Sequence, residues 1–223
     1  MNSELLFKTD PKGHFSEAIR TLRTNLQFSL STNEANVFMV TSSIPSEGKS
    51  FISSNLSVAF AMNNFKVLLV DCDMRKGRLH KIFGVDSKKG LSNLLLEDVK
   101  NYKKYIVKTD VDNVSLLPLG IVPPNPSELL NSDKFKALIE LLKSNYDLVI
   151  LDTPPVSSVT DSLIVAKCAD EAVIVTSYKI TPMDELSNTV KSLQTSGIKI
   201  AGIILNRMKH KKGSKYYYNK YYY

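Results

Sequence analysis

Six short runs rich in Val, Ile and Leu, at residues 36–41, 66–71, 113–118, 147–152, 171–177 and 199–206, alternate with amphipathic stretches of helical length. A strand that is apolar on both faces must be covered on both, and strands joined through helices run parallel. The pattern therefore specifies an α/β fold in which a parallel sheet lies between two helical layers. With 223 residues and 43% hydrophobic content the chain can bury one sizeable core. No internal repeat or linker divides it, and the proline-rich stretch 118–126 reads as a loop within the same domain. The expected organisation is one domain over residues 1–206 and an unstructured tail over 207–223.

The first run leads into Ser42-Ser43-Ile44-Pro45-Ser46-Glu47-Gly48-Lys49-Ser50 and then into an apolar helix that includes Phe51. Strand, loop, Gly-Lys-Ser and helix in that order is the context in which a phosphate-binding loop works. Backbone N–H groups of the loop and helix N-terminus face the phosphates, Lys49 neutralises the β and γ oxygens, and the Ser50 hydroxyl ligates Mg²⁺. Ser46, Glu47, Gly48, Lys49, Ser50 and Phe51 are thus the candidate nucleotide-binding residues, with ATP and Mg²⁺ as cofactors. The standard loop carries glycine where Ser43 stands, and often where Ser46 stands, so this one reaches its curvature with fewer glycines.

Two further strand ends carry acids: Leu68-Leu69-Val70-Asp71-Cys72-Asp73-Met74-Arg75 and Leu148-Val149-Ile150-Leu151-Asp152-Thr153-Pro154-Pro155. In a parallel sheet all carboxyl ends lie along one edge, where ligands bind. The loop and the three carboxylates should therefore converge, and the fold class narrows to a P-loop NTPase-like α/β domain. Asp152 suits an outer-shell Mg²⁺ ligand; Asp71 and Asp73 could join the metal network or accept a proton from an attacking hydroxyl. Lys49, Asp71 and Asp73 are the catalytic candidates, and Ser50, Asp71 and Asp152 the metal candidates. Singly, each acid could equally cap a helix or turn. Asn206, at the end of the last run, could read an adenine edge or simply form a turn. Thr153 and Pro154 follow Asp152, so no Glu stands there to activate water, which favours a site awaiting a protein hydroxyl.

The first helical stretch repeats Phe15, Ile19, Leu22, Leu26 and Leu30 on one narrow stripe, with Glu17, Arg20 and Arg23 to one side. That flank is either a solvated charged face or an interface between subunits. The formal charge of +7 invites a nucleic-acid reading, but six of the 29 Lys and Arg lie from Arg207 onward, leaving 23 against 22 acids before it. The charge belongs to a terminal extension and not to a folded basic stripe, so no nucleic-acid partner is expected. That extension also holds Tyr216, Tyr217, Tyr218, Tyr221, Tyr222 and Tyr223, six of the ten tyrosines. So much aromatic surface at a chain end implies a use for it or, alternatively, a tail that docks as a strand or packs on a groove. Cys72 and Cys168 have no ligand spacing and read as free buried thiols, and His14, His80 and His210 as surface residues. No run approaches the roughly 20 apolar residues of a membrane span, and 1–11 lacks the layout of a signal peptide, so a cytoplasmic chain is expected.

Taken together, E-A-I-R-T-L-R at 17–23, the loop ending Glu47-Gly48-Lys49-Ser50, the Asp71-Cys72-Asp73-Met74-Arg75 segment, the run ending Asp152, the stretch Pro123-Pro124-Asn125-Pro126-Ser127-Glu128-Leu129-Leu130 and the terminal tyrosine cluster resemble the bacterial tyrosine kinases of capsule and exopolysaccharide synthesis. The resemblance covers nearly the whole chain. It implies autophosphorylation of the tail between neighbours in a homo-oligomeric ring held by Glu17, Arg20 and Arg23, and regulation of polysaccharide polymerisation and export. It also implies a membrane-bound chain-length regulator on a separate chain as activator, a cognate phosphatase, and a position at the inner face of the membrane through that partner. The rival reading is a switch ATPase of the partitioning or division-site type. Those proteins commonly carry a signature lysine where Ile44 stands.

Overall fold

The computed structural model describes residues 4–33 and 36–208, the last five of the first stretch by backbone alone. Its elements, in order, are α1 (Leu6–Thr9), α2 (His14–Asn33), β1 (Val37–Ser42), α3 (Lys49–Ala61), β2 (Val67–Asp71), α4 (Leu79–Phe83), α5 (Leu91–Leu96), a 3-10 turn (Val99–Lys104), β3 (Val107–Lys108), β4 (Val114–Leu117), α6 (Pro126–Leu130), α7 (Asp133–Lys143), β5 (Leu148–Asp152), α8 (Asp161–Ala166), β6 (Glu171–Ser177), α9 (Met183–Thr195) and β7 (Lys199–Asn206). The seven strands form one sheet in the order β3-β4-β2-β5-β1-β6-β7. Every pairing is parallel except β3 with β4.

The six expected strands all form, and β3 is an addition. Two residues are too few to carry a period, and β3 exists because β4 offers it an edge, Val107 pairing with Leu116 and Lys108 with Ser115. The central strands β1, β2, β5 and β6 are buried at every position. Their side chains alternate between layers as strand geometry requires. Val37 and Met39 pack toward Phe135, Leu138 and Leu193 of α7 and α9. Phe38 and Val40 pack toward Phe7, Leu56, Phe60 and Ile82 of α1, α3 and α4.

α3 explains how a serine-rich helix crosses the core. Ser53, Ser54 and Ser57 are fully buried, and their hydroxyls donate back to the carbonyls of Lys49, Ser50 and Ser54 at 2.7–2.9 Å. Small side chains let the helix approach the sheet, and the back-bonding removes the penalty of burying hydroxyls. α7 shows the usual start signal, Ser132 Oγ accepting from the Phe135 N–H at 3.2 Å.

In α2 the stripe lies as expected where its side chains are described: Ile19 and Leu26 are buried, with Phe15 and Leu22 partly so. Two sequence expectations need correction. Cys72 is buried, but Cys168 is only half-buried because it lies past the end of α8. His80 is not a plain surface residue: it is half-buried with Nδ1 enclosed and unpartnered, and burial lowers its pKa. His14 is exposed, and His210 lies outside the described residues.

The N-terminal segment is held by one buried side chain. Asn55 Oδ1 accepts the Phe7 N–H at 2.9 Å, and Nδ2 donates to the Glu4 and Phe51 carbonyls at 2.9 Å. Asn55→Ala is expected to lower stability by about 2 kcal/mol, because buried amide groups lose their partners. It should also speed hydrogen exchange at Phe7 far more than at Val40. Unchanged exchange at Phe7 would show that packing alone holds the segment.

Candidate active site at the carboxyl edge of the sheet

The register places the acids. Asp71 pairs with Asp152 at the ends of β2 and β5, and Asp152 faces Val40 of β1, just before the loop. Lys49, the first residue of α3, reaches across this edge. Its Nζ lies 2.9 Å from Asp73 Oδ2 and 3.8 Å from Asp152 Oδ2. Asp152 is fully buried and accepts a hydrogen bond from Ser50 Oγ at 2.6 Å; the Ser53 hydroxyl, 3.1 Å away, is shared between Asp152 and the Lys49 carbonyl. The expected convergence of loop and carboxylates is therefore present in the structure.

The three carboxylates are not equivalent. Burial pushes Asp71 well above the usual carboxylate range and the Asp152 charge adds to this; Lys49 and the Leu79 N–H pull only partly back. Burial likewise raises Asp152, restrained by Lys49 and by the Ser50 and Ser53 hydroxyls. Lys49 is pulled down by burial, but Asp152, Asp73 and Asp71 together outweigh it and hold the ammonium above its ordinary pKa. Asp73 borders the cavity, and its Oδ1 also accepts from the Lys76 N–H at 2.9 Å. Gly77 lets this loop close over Asp71, since a Cβ there would sit 2.7 Å from Asp71 Oδ2.

The loop is braced from below. Glu47 is 1% exposed. Its Oε2 accepts from the Ile44 N–H at 2.9 Å, and its Oε1 from the Ser177 N–H at 3.1 Å and from the Thr181 hydroxyl. The expectation of Glu47 as a nucleotide contact is thus redirected for its side chain, which ties the loop to the end of β6 and does not border the cavity. Sequence offered one signal for this, a carboxylate inside a loop otherwise built to receive anions. Ser46 has φ 67° and Gly48 φ 94°. The left-handed turn expected of a glycine is thus taken by a serine, at a cost of about 1 kcal/mol or more. Arg207 Nη2 donates to the Ser46 carbonyl at 2.6 Å and Asn206 Nδ2 to the Glu47 carbonyl at 2.9 Å, fixing that turn. Asn206 Nδ2 would also lie 2.4 Å from a Cβ at position 48, so the close approach requires glycine there.

The cavity above the loop measures about 420 Å³ and is bordered by Gly48, Lys49, Ser50, Phe51 and Asp73, with Arg75, Lys76 and Arg78 among the residues around it. A second cavity of about 460 Å³ lies beside it between α2 and the end of β7, lined by Phe15, Leu22, Asn206 and Arg207 among others. Phe51 and Phe15 meet with ring centroids 5.0 Å apart. Sequence reasoning did not single out Arg75, Arg78 or Arg207 individually, because a cation's partner in another segment leaves no local pattern. The Glu17, Arg20 and Arg23 flank is only partly outward. Arg20 pairs with Glu17 at 2.8 Å, donates to the Pro11 carbonyl, and lies 5.2 Å over the Phe7 ring, while Arg23 donates to the Ala59 carbonyl at 3.1 Å. The tail tyrosines lie outside the described residues.

Among the described residues no cluster of three or more His, Cys, Asp or Glu makes a self-contained metal cage. The oxygen donors do fit Mg²⁺, which is commonly held by one or two carboxylates together with substrate phosphates. Asp71 Oδ1 is buried with no hydrogen-bond partner, and Asp71 pairs in register with Asp152, which accepts from the Ser50 hydroxyl. No helix among the described residues is long and apolar enough to cross a membrane.

In sequence and in fold the chain is similar to known proteins. A family model described as an AAA domain matches residues 46–201. The putative tyrosine-protein kinase CapB of Staphylococcus aureus is 37% identical over 216 residues, 97% of this chain and 94% of that protein. The tyrosine-protein kinase Wzc of Salmonella typhimurium is 40% identical over 206 residues, 92% of this chain but 28% of the length of Wzc. The crystal structure of the chimerical protein CapA2B2 superposes with TM-score 0.88 at 38% identity, covering 93% of this chain and 91% of that one. The septum site-determining protein MinD of Pyrococcus horikoshii, complexed with Mg-ADP, is more distant at TM-score 0.66 and 27% identity, covering 79% of this chain and 72% of that one.

The raised Asp71 pKa makes a stability prediction. A carboxyl that holds its proton more tightly folded than unfolded favours folding at low pH and loses that advantage as pH rises from about 4 through its folded pKa. Asp71→Asn is therefore expected to raise the Tm of the metal-free protein at pH 8 and to leave it nearly unchanged at pH 4. A difference that does not grow with pH would show that Asp71 is not the strained group.

Proposed function

Since the chain belongs to the family of bacterial tyrosine-protein kinases, we propose that it transfers the γ-phosphoryl group of ATP to its own terminal tyrosines, Tyr216, Tyr217, Tyr218, Tyr221, Tyr222 and Tyr223. The observation that carries this reading is the pairing of Lys49 with Asp73 inside the cavity, at 2.9 Å and with side chains only 12% and 7% exposed. A lysine aimed at phosphates needs a partner until they arrive, and a carboxylate that must accept a phenolic proton needs to be released when they do. One contact serves both needs.

In this mechanism the phosphates enter along the N–H groups of residues 46–51 and take the Lys49 ammonium from Asp73. Ser50 and Asp71 would hold Mg²⁺, with Asp152 behind Ser50, and the ion when bound would supply charge neutralisation at the phosphates. Asp73 Oδ2 then accepts the phenolic proton while the bond from the γ phosphorus to the tyrosine oxygen forms and the bond to the departing ADP oxygen breaks. Thr153 and Pro154, following Asp152, provide no carboxylate to activate water. Asn206 is proposed to read the adenine edge from beside the second cavity. Its carboxamide spends one N–H on Glu47 and one lone pair on the Arg207 N–H, which leaves one donor and one acceptor for a base.

The tail from Arg207 onward has 17 residues and, extended, spans roughly 50 Å, enough to reach a neighbour's site. Transfer between subunits of a ring, assembled through the Glu17, Arg20 and Arg23 flank, is part of the proposal. So are a membrane-bound activator on a separate chain, which would place the kinase at the inner face of the membrane, and a phosphatase that resets the tail. Regulation of capsular or exopolysaccharide polymerisation and export is the proposed outcome. A division-site type switch ATPase is not favoured, since the MinD likeness is weaker in both identity and superposition.

Lys49→Met keeps most of the side-chain length and removes the cation. It is expected to lower phosphotyrosine formation from Mg·ATP at least about 100-fold, read by phosphotyrosine blotting. A variant as active as the wild type, in the absence of wild-type protein, would overturn the loop assignment.

A further inference from the structure

The segment 123–130, conspicuous in the sequence, has no part in the phosphate loop, yet the structure connects it to the cavity. Ser127, in α6, donates to Asp161 Oδ1 at 2.6 Å. Asp161 opens α8 and is fully buried. Arg75 completes the cluster: its Nε donates to Asp161 Oδ2 at 3.0 Å, and its Nη2 to Asp161 Oδ1 at 3.3 Å and to Ser127 Oγ at 3.4 Å. Three segments far apart in sequence thus meet on one guanidinium.

We propose that Arg75 is a pre-aimed donor to the transferring γ-phosphoryl group and that Asp161 and Ser127 are the residues that position it; this rests on the phosphotransfer reading above. Arg75 borders the same cavity as Lys49 and Asp73, and its backbone N–H donates to Asp73 Oδ1 at 3.4 Å. One edge of its planar fork is fixed by a buried carboxylate that is itself fixed by Ser127. The other edge is open, since Nη1 has no partner among the described residues. An exposed arginine ordinarily samples many rotamers, whereas this one, with its side chain 42% exposed, is anchored before any ligand arrives.

The chemistry asks for such a group. As the bond from the γ phosphorus to ADP breaks and the bond to the tyrosine oxygen forms, with the phenolic proton passing to Asp73, negative charge spreads over the three equatorial phosphoryl oxygens. A cation already oriented needs no reorganisation at that moment. Arg75 would touch the reacting group, while Asp161 and Ser127 act only through it.

A double-mutant cycle on the full chain tests this. It reads ADP formation from Mg·ATP, which counts transfer to tyrosine and to water alike, together with the Kd for ADP. Arg75→Ala should lower the rate about 100-fold. Arg75→Lys, which keeps charge but not the fork, should fall about tenfold. Ser127→Ala should lower it about threefold with the ADP Kd unchanged within about twofold, and Asp161→Asn about tenfold. In the Arg75→Ala background both positioning substitutions should change the rate by less than about twofold. Equal losses in both backgrounds would make Asp161 and Ser127 merely structural and overturn the proposal, as would Arg75→Ala within about twofold of wild type. If Asp161→Asn fails to fold, the Ser127→Ala arm decides. Normal ADP formation without phosphotyrosine would overturn the tyrosine acceptor and leave the Arg75 assignment standing.

Discussion

Three carboxylates gathered around one lysine ammonium at the carboxyl edge of the sheet are the interaction on which the site depends. Two of them, Asp71 and Asp152, are fully buried; Lys49 is ion-paired with Asp152 and offsets only part of the cost of burying Asp71. A buried carboxylate is costly unless a charge or a set of donors meets it. Asp152 has both, through Lys49, Ser50 and Ser53; Asp71 has one N–H donor and an oxygen left unpaired. That imbalance leaves Asp71 with a free oxygen where the proposal puts a divalent cation, and it separates the roles of two acids that pair across neighbouring strands.

The fold supplies the placement. Parallel strands bring Asp71 and Asp152 into register, and α3 delivers Lys49 and Ser50 from the end of β1. The loop between them is held from outside by Glu47 on the end of β6 and by Asn206 and Arg207 at the end of β7. These bonds explain how a loop with serine at a left-handed position keeps its curvature. Arg207 is the first residue of the expected tail, and its side chain belongs to the folded site.

Much of this was legible in the sequence. Strand apolarity gave the sheet, because strands covered on both faces leave a run that chance rarely imitates, and the Gly-Lys-Ser sequence with strand-end acids pointed to the sheet edge where the structure gathers Lys49, Asp73 and Asp152. What escaped shares one physical cause: contacts between segments distant in the chain. The two-residue β3 exists only through its pairing with β4. The Glu47 side chain braces the loop, a role sequence did not reveal because its partners Ser177 and Thr181 lie 130 and 134 residues away. Arg23 looked outward by helical spacing, but its long side chain turns back to a carbonyl at the end of α3. Periodicity assigns a face to a Cα, not a direction to a guanidinium.

The claim that joins these observations is that phosphate leaves this site on a tyrosine and not on water. Phosphosite mapping by mass spectrometry, on the full chain incubated with Mg·ATP, tests it most directly. The account predicts phosphate on tyrosines within 216–223, absent when magnesium is withheld. Conversion of ATP to ADP and inorganic phosphate with every tyrosine unmodified would contradict it.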